Sequence, residues 1–158
     1  MAACSGPSGG QSLEFDELSP GVPFNCDDAI DVVETLPDNY SAFADAMALP
    51  TDVETMQRGR SSTDGRRFSK MGLIIRPGTT FQIHVAPTSQ GNALIHWGNA
   101  GINDPSESIA VESCGGDPET WIAFPGGVWT LEPACVTLLV TTEVEREQLE
   151  LPISMTCP

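Results

Sequence analysis

Two neighbouring runs of sequence decide the fold class: Thr120–Leu131 (TWIAFPGGVWTL) and Cys135–Thr142 (CVTLLVTT). In the first run, Pro125-Gly126-Gly127 separates two short apolar segments, which predicts a β-hairpin that turns at these residues. Such a hairpin would place Trp121 and Trp129 nearly opposite each other, as a cross-strand aromatic pair. The second run is the most strand-like in the chain and places Val136, Leu138 and Val140 on one face of the predicted strand.

Strand-like patterns recur through most of the remaining chain. Similar short runs are Phe68–Ile75, Phe81–Val85, Ala93–Trp97, Ile109–Val111 and Leu149–Ile153. Turn residues such as Gly, Pro, Asn and Ser separate these runs. About eight or nine short strands with turns every 8–12 residues or so predict a mainly β fold. We expect an antiparallel β-sandwich, either Ig-like or jelly-roll-like.

One short N-terminal helix is predicted before the first strong strand pattern. Asp27–Leu36 places Ile30 and Val33 on one helical face, acidic residues lie in its first turn, and Pro37 would end it. The next segment, Tyr40–Leu49, fits the helical period and the alternation of a strand equally well. Its pattern alone leaves both possibilities open.

Length and composition indicate one folded domain. The chain has 158 residues, of which 40% are hydrophobic and 18% charged, as expected of a globular protein rather than a disordered one. No run approaches the roughly 18 apolar residues that a membrane-spanning helix needs. Residues 1–20 are small, polar and acidic and are predicted to be a flexible tether. Residues 21–158 are predicted to form a single domain.

The charge is strongly negative and unevenly distributed. With 22 acidic and 7 basic residues, the net charge is −15, which makes nucleic-acid binding unlikely because the phosphate backbone is repelled. Six of the seven basic residues lie between positions 58 and 76: Arg58, Arg60, Arg66, Arg67, Lys70 and Arg76. This stretch is either a solvated loop attracted to the acidic surface of the protein or a contact for an anion or phospholipid head group. In the second case Arg66 and Arg67 are the candidate binding residues.

Cys4 differs in context from the other four cysteines. It lies in Ala2-Ala3-Cys4-Ser5-Gly6, which resembles the end of a bacterial lipoprotein signal peptide, where the cysteine becomes lipidated. The charged and apolar regions of such a signal are missing, because only three residues precede Cys4. We therefore predict Cys4 as a lipidation site whose leader is truncated, with a free thiol in a disordered tail as the alternative.

The remaining cysteines predict two disulfides. Cys26, Cys114, Cys135 and Cys157 contain no C-x-x-C pair, which argues against a zinc ribbon or a thioredoxin-type motif. Four cysteines allow three connectivities, and two disulfides would indicate an oxidising compartment. Cys114–Cys135 is favoured because strand-like runs flank both residues, which leaves Cys26–Cys157. Four buried, reduced cysteines are the alternative.

Several segments resemble an uncharacterised family of secreted proteins and lipoproteins from actinobacteria. They are Cys26–Ile30, Ala48–Thr51, Phe68–Leu73, Trp121–Trp129, Glu132–Val136 and the final Cys-Pro. The likeness covers roughly residues 26–158. It implies that Tyr40–Leu49 is a strand and that the protein is exported. It implies no activity, because the matching motifs are structural and no activity is assigned to the family.

Two histidines are the candidate metal ligands. His84 and His96 lie on predicted neighbouring strands and both alternate with apolar residues, so they would face the same surface. Together with Asp104 or Glu107 they would make a three-ligand site for zinc or a similar ion. The alternative is that they are two exposed polar strand residues.

Two tryptophans are the candidate binding residues. Trp121 and Trp129 are predicted to pack in the core, but if both were exposed they would form a stacking platform for a sugar or peptide.

The sequence favours a non-enzymatic extracytoplasmic domain that binds an unknown partner or small ligand at the cell envelope. It would be lipid-anchored or secreted, would contact the membrane only through its lipid, and is predicted to need no cofactor. One alternative is an envelope hydrolase or metal-dependent enzyme that uses His84, His96 and nearby carboxylates. Another is a purely structural envelope module.

Overall fold

The computed structural model describes residues 20–24, 26–51, 58–98 and 105–158. Within these residues the protein is mainly β, as predicted, with thirteen strands. The strands are β1 (Val22–Phe24), β2 (Asp31–Val33), β3 (Ser41–Phe43), β4 (Met47–Leu49), β5 (Arg67–Lys70), β6 (Leu73–Ile75), β7 (Phe81–Val85), β8 (Ala93–Trp97), β9 (Ser108–Val111), β10 (Trp121–Phe124), β11 (Gly126–Thr130), β12 (Ala134–Thr141) and β13 (Arg146–Ile153). The described helical structure is a single 3-10 turn, Cys26–Asp28.

The strands form three sheets. Sheet A has the order β1-β9-β7-β12-β13, sheet B the order β2-β10-β6-β4-β3, and sheet C the order β5-β11-β8. All strand pairs are antiparallel except β1 and β9, which run parallel. An isolated bridge between Ile95 and Ser106 links β8 to the residues just before β9.

The predicted helix at Asp27–Leu36 is wrong. After the 3-10 turn the chain becomes extended as β2, which pairs with β10. The Ile30 N–H donates to the Ala123 carbonyl at 2.8 Å, and the Val32 N–H donates to the Asp31 carboxylate at 2.8 Å. These bonds satisfy two backbone N–H groups that would otherwise be bonded within a helix. The Asp31 side chain competes with helical hydrogen bonds for the Val32 N–H. Tertiary pairing therefore overrides the weak helical pattern.

Tyr40–Leu49, which the sequence pattern left open, contains the hairpin β3–β4. The turn residues Ala44 and Asp45 have φ of 53° and 50°. Two consecutive left-handed residues are typical of a type I′ turn, whose twist matches that of the flanking strands.

The predicted hairpin at Pro125-Gly126-Gly127 is also wrong, because no chain reversal occurs there. Arg67–Ile75 pairs antiparallel with Ile122–Thr130 in one unbroken register, from Arg67 opposite Thr130 to Ile75 opposite Ile122. The Met71 N–H donates to the Gly126 carbonyl at 3.0 Å and continues the ladder across the gap. The Pro-Gly-Gly segment is therefore the place where a long strand pair passes from sheet B into sheet C.

One hydrophobic core is shared by the three sheets. Its fully buried large side chains include Phe81, Ile83 and Leu138 of sheet A, Leu73, Ile75 and Phe124 of sheet B, and Ile95 and Trp97 of sheet C. A smaller cluster lies apart from this core and consists of Ala48, Ile74 and Trp121, with Val33, Leu36, Tyr40 and Ala123 packed against them.

Two disulfides are present, but with a connectivity that differs from the favoured one. Cys26 is bonded to Cys114, and Cys135 to Cys157, with Cα–Cα distances of 5.6 Å and 5.5 Å. The reason lies in strand pairing. The parallel pair β1–β9 brings the chain just after β1 beside the chain just after β9. Likewise β12 begins where β13 ends, so the chain after β13 returns to the start of β12.

Candidate functional site

The two candidate tryptophans lie in different sheets. Trp121 is on β10 of sheet B, opposite Val33, whereas Trp129 is on β11 of sheet C, between Phe68 and Leu94. Each indole is only 7% exposed. They do not form the predicted cross-strand pair, and neither presents an open ring face on which a sugar or peptide could stack.

Trp129 belongs to an aromatic cluster on the face of sheet C that points away from the core. We call it the sheet C cluster, and it consists of Arg60, Phe68, His96 and Trp129. The rings of Phe68 and His96 are stacked, with centroids 5.2 Å apart and planes inclined by 8°, and Phe68 lies 4.8 Å from Trp129. The Arg60 guanidinium carbon lies 5.7 Å from the centroids of both Phe68 and Trp129. This arrangement combines ring packing with cation–π attraction.

The stack depends on a glycine in the middle strand. Gly127 pairs with His96 on one side and with Lys70 on the other. A Cβ at Gly127 would lie 2.1 Å from the Ser69 carbonyl oxygen and 2.8 Å from the Phe68 ring. The missing side chain therefore lets Phe68 cross over β11 and reach His96.

His96 is held neutral by its surroundings. The Trp129 indole N–H donates to His96 Nδ1 at 3.0 Å, so the ring proton of the neutral imidazole lies on Nε2. Burial lowers the pKa of His96, and the nearby Arg60 charge lowers it further. Because Nδ1 already accepts a hydrogen bond from the Trp129 indole N–H, His96 can bind a metal ion through this atom only by breaking that buried hydrogen bond.

The two histidines do not lie in the same sheet. His84 is on β7 of sheet A, opposite Ser108 and Leu139, while His96 is on β8 of sheet C. Among the residues that the structure describes, no group of three His, Cys, Asp or Glu side chains could hold a metal ion. Asp104, one of the two proposed carboxylate ligands, lies outside the described residues. The metal-dependent enzyme therefore stays a prediction without a described site.

Several arginines of the basic stretch bond to the protein itself. Arg58 donates to the Leu131 carbonyl at 2.8 Å, and Arg66 donates to the carbonyls of Gly91 and Asn92 and pairs with Asp64. Ser62 and Arg66 also supply hydrogen bonds that, together with the charge of Arg66, lower the pKa of Asp64 to about 2. A backbone hydrogen bond between Gly59 and Phe68 and a bridge between Ser61 and Arg67 form a further hairpin beside β5. Arg58 and Arg66 bond mainly to backbone carbonyls, so attraction of this stretch to the acidic surface stays a prediction.

Arg76, the last residue of the basic stretch, lies over the second tryptophan. Its guanidinium carbon is 4.1 Å from the Trp121 centroid, and it forms an ion pair with Asp45 at 3.2 Å. It also donates to the Pro118 carbonyl at 3.0 Å. Of the two predicted anion contacts, Arg66 already bonds to Gly91, Asn92 and Asp64 of the protein itself. The side chain of Arg67 is exposed.

Two exposed apolar side chains lie close together at one edge of sheet B. Ile30 and Val32 are 66% and 59% exposed, and Asp31 between them is exposed as well. In the described chain β2 has a strand neighbour on one side only, β10. We call this surface, made by residues 30–32, the β2 edge. The sequence does not reveal this edge, because the helical pattern predicts Ile30 on the buried face of a helix.

A shallow cleft of about 330 Å³ lies at the ends of sheets A and B. Its lining includes Asp45 of the β3–β4 turn, Thr79 and Thr80 before β7, and Glu143 and Glu145 of the β12–β13 turn. The cleft is polar and open, and it contains neither a histidine nor a cysteine.

The two disulfides indicate an oxidising, extracytoplasmic environment, because such bonds are rare in the reducing cytosol. No helix in the described ranges is long and apolar enough to cross a bilayer. Cys4, the predicted lipidation site, lies outside the described residues together with the rest of the predicted tether up to residue 19.

Comparisons with known proteins gave no match: no family model, no curated protein and no solved structure is significantly similar to this chain. The resemblance to an actinobacterial secreted family therefore stays a prediction.

Proposed function

We propose that the chain is a non-enzymatic extracytoplasmic binding domain: a disulfide-bonded β-sandwich that recognises another protein at the cell envelope. Lipid on Cys4 would anchor it to the membrane, and residues 1–20 would serve as the tether. The observation that carries the proposal is the β2 edge, where two branched apolar side chains are exposed next to each other on an edge strand. Neighbouring exposed apolar side chains are unusual for a surface without a partner, whereas isolated ones are common.

The β2 edge is held in a fixed position, as a recognition surface should be. The Cys26–Cys114 disulfide fixes the chain just before it, and the Ile30–Ala123 hydrogen bond fixes its start. On the other face of β2, Val33 packs against the small cluster that contains Trp121. Because the backbone is already ordered, binding there would cost less conformational entropy than binding by a loose loop.

Site-directed photo-crosslinking in intact cells tests this proposal. A photoreactive phenylalanine analogue is introduced at Val32 or, as the control, at Val144, which is 87% exposed but lies in the β12–β13 turn. We expect a discrete crosslinked protein from position 32 and none from position 144. Equal labelling at both positions, or none at position 32, would favour a purely structural module.

The predicted location is tested on the same cells. Mass spectrometry of protein made with its upstream leader should find Cys4 carrying a lipid and the other four cysteines oxidised. An unmodified Cys4 would leave a secreted, unanchored domain, whereas four reduced thiols would contradict an extracytoplasmic location.

A further inference from the structure

We propose that the partner of the β2 edge is an extended, positively charged peptide segment that adds to sheet B as a new edge strand. The inference rests on the proposed function and names the chemistry of its partner. Its starting point is that, in the described chain, β2 has a strand neighbour on one side only. An added strand would exchange the hydrogen bond from the Val32 N–H to the Asp31 carboxylate for one to the backbone of the peptide.

The exposed side chains of the β2 edge suit strand addition. Ile30 and Val32 are two residues apart, so they project to the same side of the strand, whereas Val33 projects to the side of Trp121. A peptide strand laid along β2 would place alternate apolar side chains next to Ile30 and Val32. Strand addition takes its affinity from backbone hydrogen bonds and its specificity from such alternate positions.

The charge around the edge determines the sign of the partner. Asp28, Asp31 and Glu34 are exposed within seven residues of chain, and residues 1–57 contain no Lys or Arg at all. Arg76, which lies over Trp121 beside β2, is paired with Asp45. A peptide with Lys or Arg between its apolar residues would lie opposite these carboxylates, because cross-strand pairs of opposite charge are favourable. An acidic segment would be repelled.

The same charges disfavour a second copy of this chain as the occupant. If two β2 edges paired about a two-fold axis, each copy would bring its own Asp31 and Glu34 to the new strand pair. Like charges opposite each other on neighbouring strands are destabilising, and the net charge of −15 on each copy adds to the repulsion.

Three labelled ten-residue peptides test the inference by fluorescence anisotropy with the full-length, disulfide-bonded protein. The first alternates Lys with Val, the second alternates Glu with Val, and the third has the charge of the first but carries Pro at every third position. Pro removes backbone donors and breaks strand pairing. We expect the Lys-Val peptide to bind at least about tenfold more tightly than either control peptide.

Matched variants locate the binding. The double variant Ile30→Ser with Val32→Ser should weaken binding of the Lys-Val peptide about tenfold, and Asp31→Asn with Glu34→Gln should weaken it and reduce its salt dependence. Val144→Ser should change nothing. In hydrogen exchange, the bound peptide should slow the backbone amides of β2. These residues are exposed, so the substitutions should leave the fold intact.

The outcomes separate the inference from the proposed function. Equal binding of the Pro peptide would show simple charge attraction to an acidic protein and would overturn strand addition. Tighter binding of the Glu-Val peptide, or a dimer through β2 in sedimentation experiments, would overturn the predicted charge or the predicted occupant. A crosslinked partner at Val32 combined with no binding of the Lys-Val peptide would refute this inference alone, whereas the absence of both would refute the proposed function as well.

Discussion

The indole N–H of Trp97 donates a buried hydrogen bond to the Met71 carbonyl at 2.8 Å. The next carbonyl, that of Gly72, accepts the hydroxyl of Tyr40 at 2.9 Å. Trp97 belongs to the main core, whereas Tyr40 packs with the cluster on the other face of sheet B. Two side chains from opposite faces therefore bond to the two residues that separate β5 from β6, where the long strand pair passes from one sheet to the next.

Removing these two bonds should have unequal effects. Trp97→Phe leaves a buried carbonyl without its donor and a small cavity, so we expect a loss of about 2–4 kcal/mol in the free energy of unfolding. Tyr40→Phe exposes a half-buried carbonyl that water can reach, so we expect about 0.5–1.5 kcal/mol. Urea denaturation at neutral pH measures both. An equal or larger loss for Tyr40→Phe would contradict the deeper burial of the bond between Trp97 and the Met71 carbonyl.

Gly127, two residues after Pro125, should tolerate no side chain. For Gly127→Ala we expect a loss of about 1–3 kcal/mol, because its Cβ would collide with the Ser69 carbonyl and the Phe68 ring. Gly115→Ala is the matched control, since a Cβ there meets nothing within 4 Å. The midpoints of chemical denaturation compare the two. If both variants unfolded at the wild-type midpoint, the close approach of β5 to β11 would be wrong.

The two disulfides should differ in their contribution to stability. The Cys26–Cys114 bond spans 88 residues of chain and the Cys135–Cys157 bond spans 22. Chain-entropy estimates for loops of these lengths give a stabilisation of about 4–5 kcal/mol for the longer loop and about 3–4 kcal/mol for the shorter one. The variant in which Cys26 and Cys114 are both replaced by Ser should therefore be less stable than the variant in which Cys135 and Cys157 are replaced. Peptide mapping of the unreduced protein checks the connectivity itself. A peptide that joins Cys114 to Cys135 would contradict it.

Stability should fall at mildly acidic pH because of His96. Its pKa is lowered in the folded protein, so the unfolded chain binds a proton more readily than the folded one. The stabilisation is fully present above the ordinary pKa of 6.5 and is lost as the pH falls below that value toward the lowered pKa. His96→Gln cannot gain this proton, and between pH 7.5 and 5.5 it should therefore lose less stability than the wild type.

The indole resonance of Trp129 provides an independent readout of the same event. Protonated His96 has no acceptor at Nδ1, so the indole N–H signal should shift as the pH falls. Arg60→Gln should move this transition to higher pH, because it removes a positive charge that opposes protonation. A transition that stays at the same pH in this variant would contradict the contact between Arg60 and the ring cluster.

Local sequence determined the strand content of the protein. The alternation in Cys135–Thr142 became β12, and the alternating residues of Phe81–Val85 and Leu149–Ile153 lie in β7 and β13 with apolar side chains in the core. A period of two fixes which face of a strand is apolar, and it does so without reference to any other strand. The even set of four cysteines likewise predicted two disulfides.

What the sequence alone could not determine is which strands pair. Turn residues between two apolar runs predict the hairpin at Pro125-Gly126-Gly127, and strand-like runs beside both cysteines favour a bond between Cys114 and Cys135, but the structure has neither. In the folded protein, Ile122–Thr130 pairs instead with Arg67–Ile75, which lies roughly 47 to 63 residues earlier, and the first strand of sheet A lies beside β9.

The β2 edge was hidden for the same reason. Ile30 and Val33 fit a helical face, but pairing with β10 outweighed this weak local preference and left Ile30 and Val32 exposed. Local periodicity therefore decided the strands whose alternation is strong, such as β7 and β13, and which of their sides are apolar. Only the tertiary structure decided which cysteines join, that Trp121 and Trp129 lie in different sheets and which strand is left at an edge, because these depend on contacts between residues far apart in the chain.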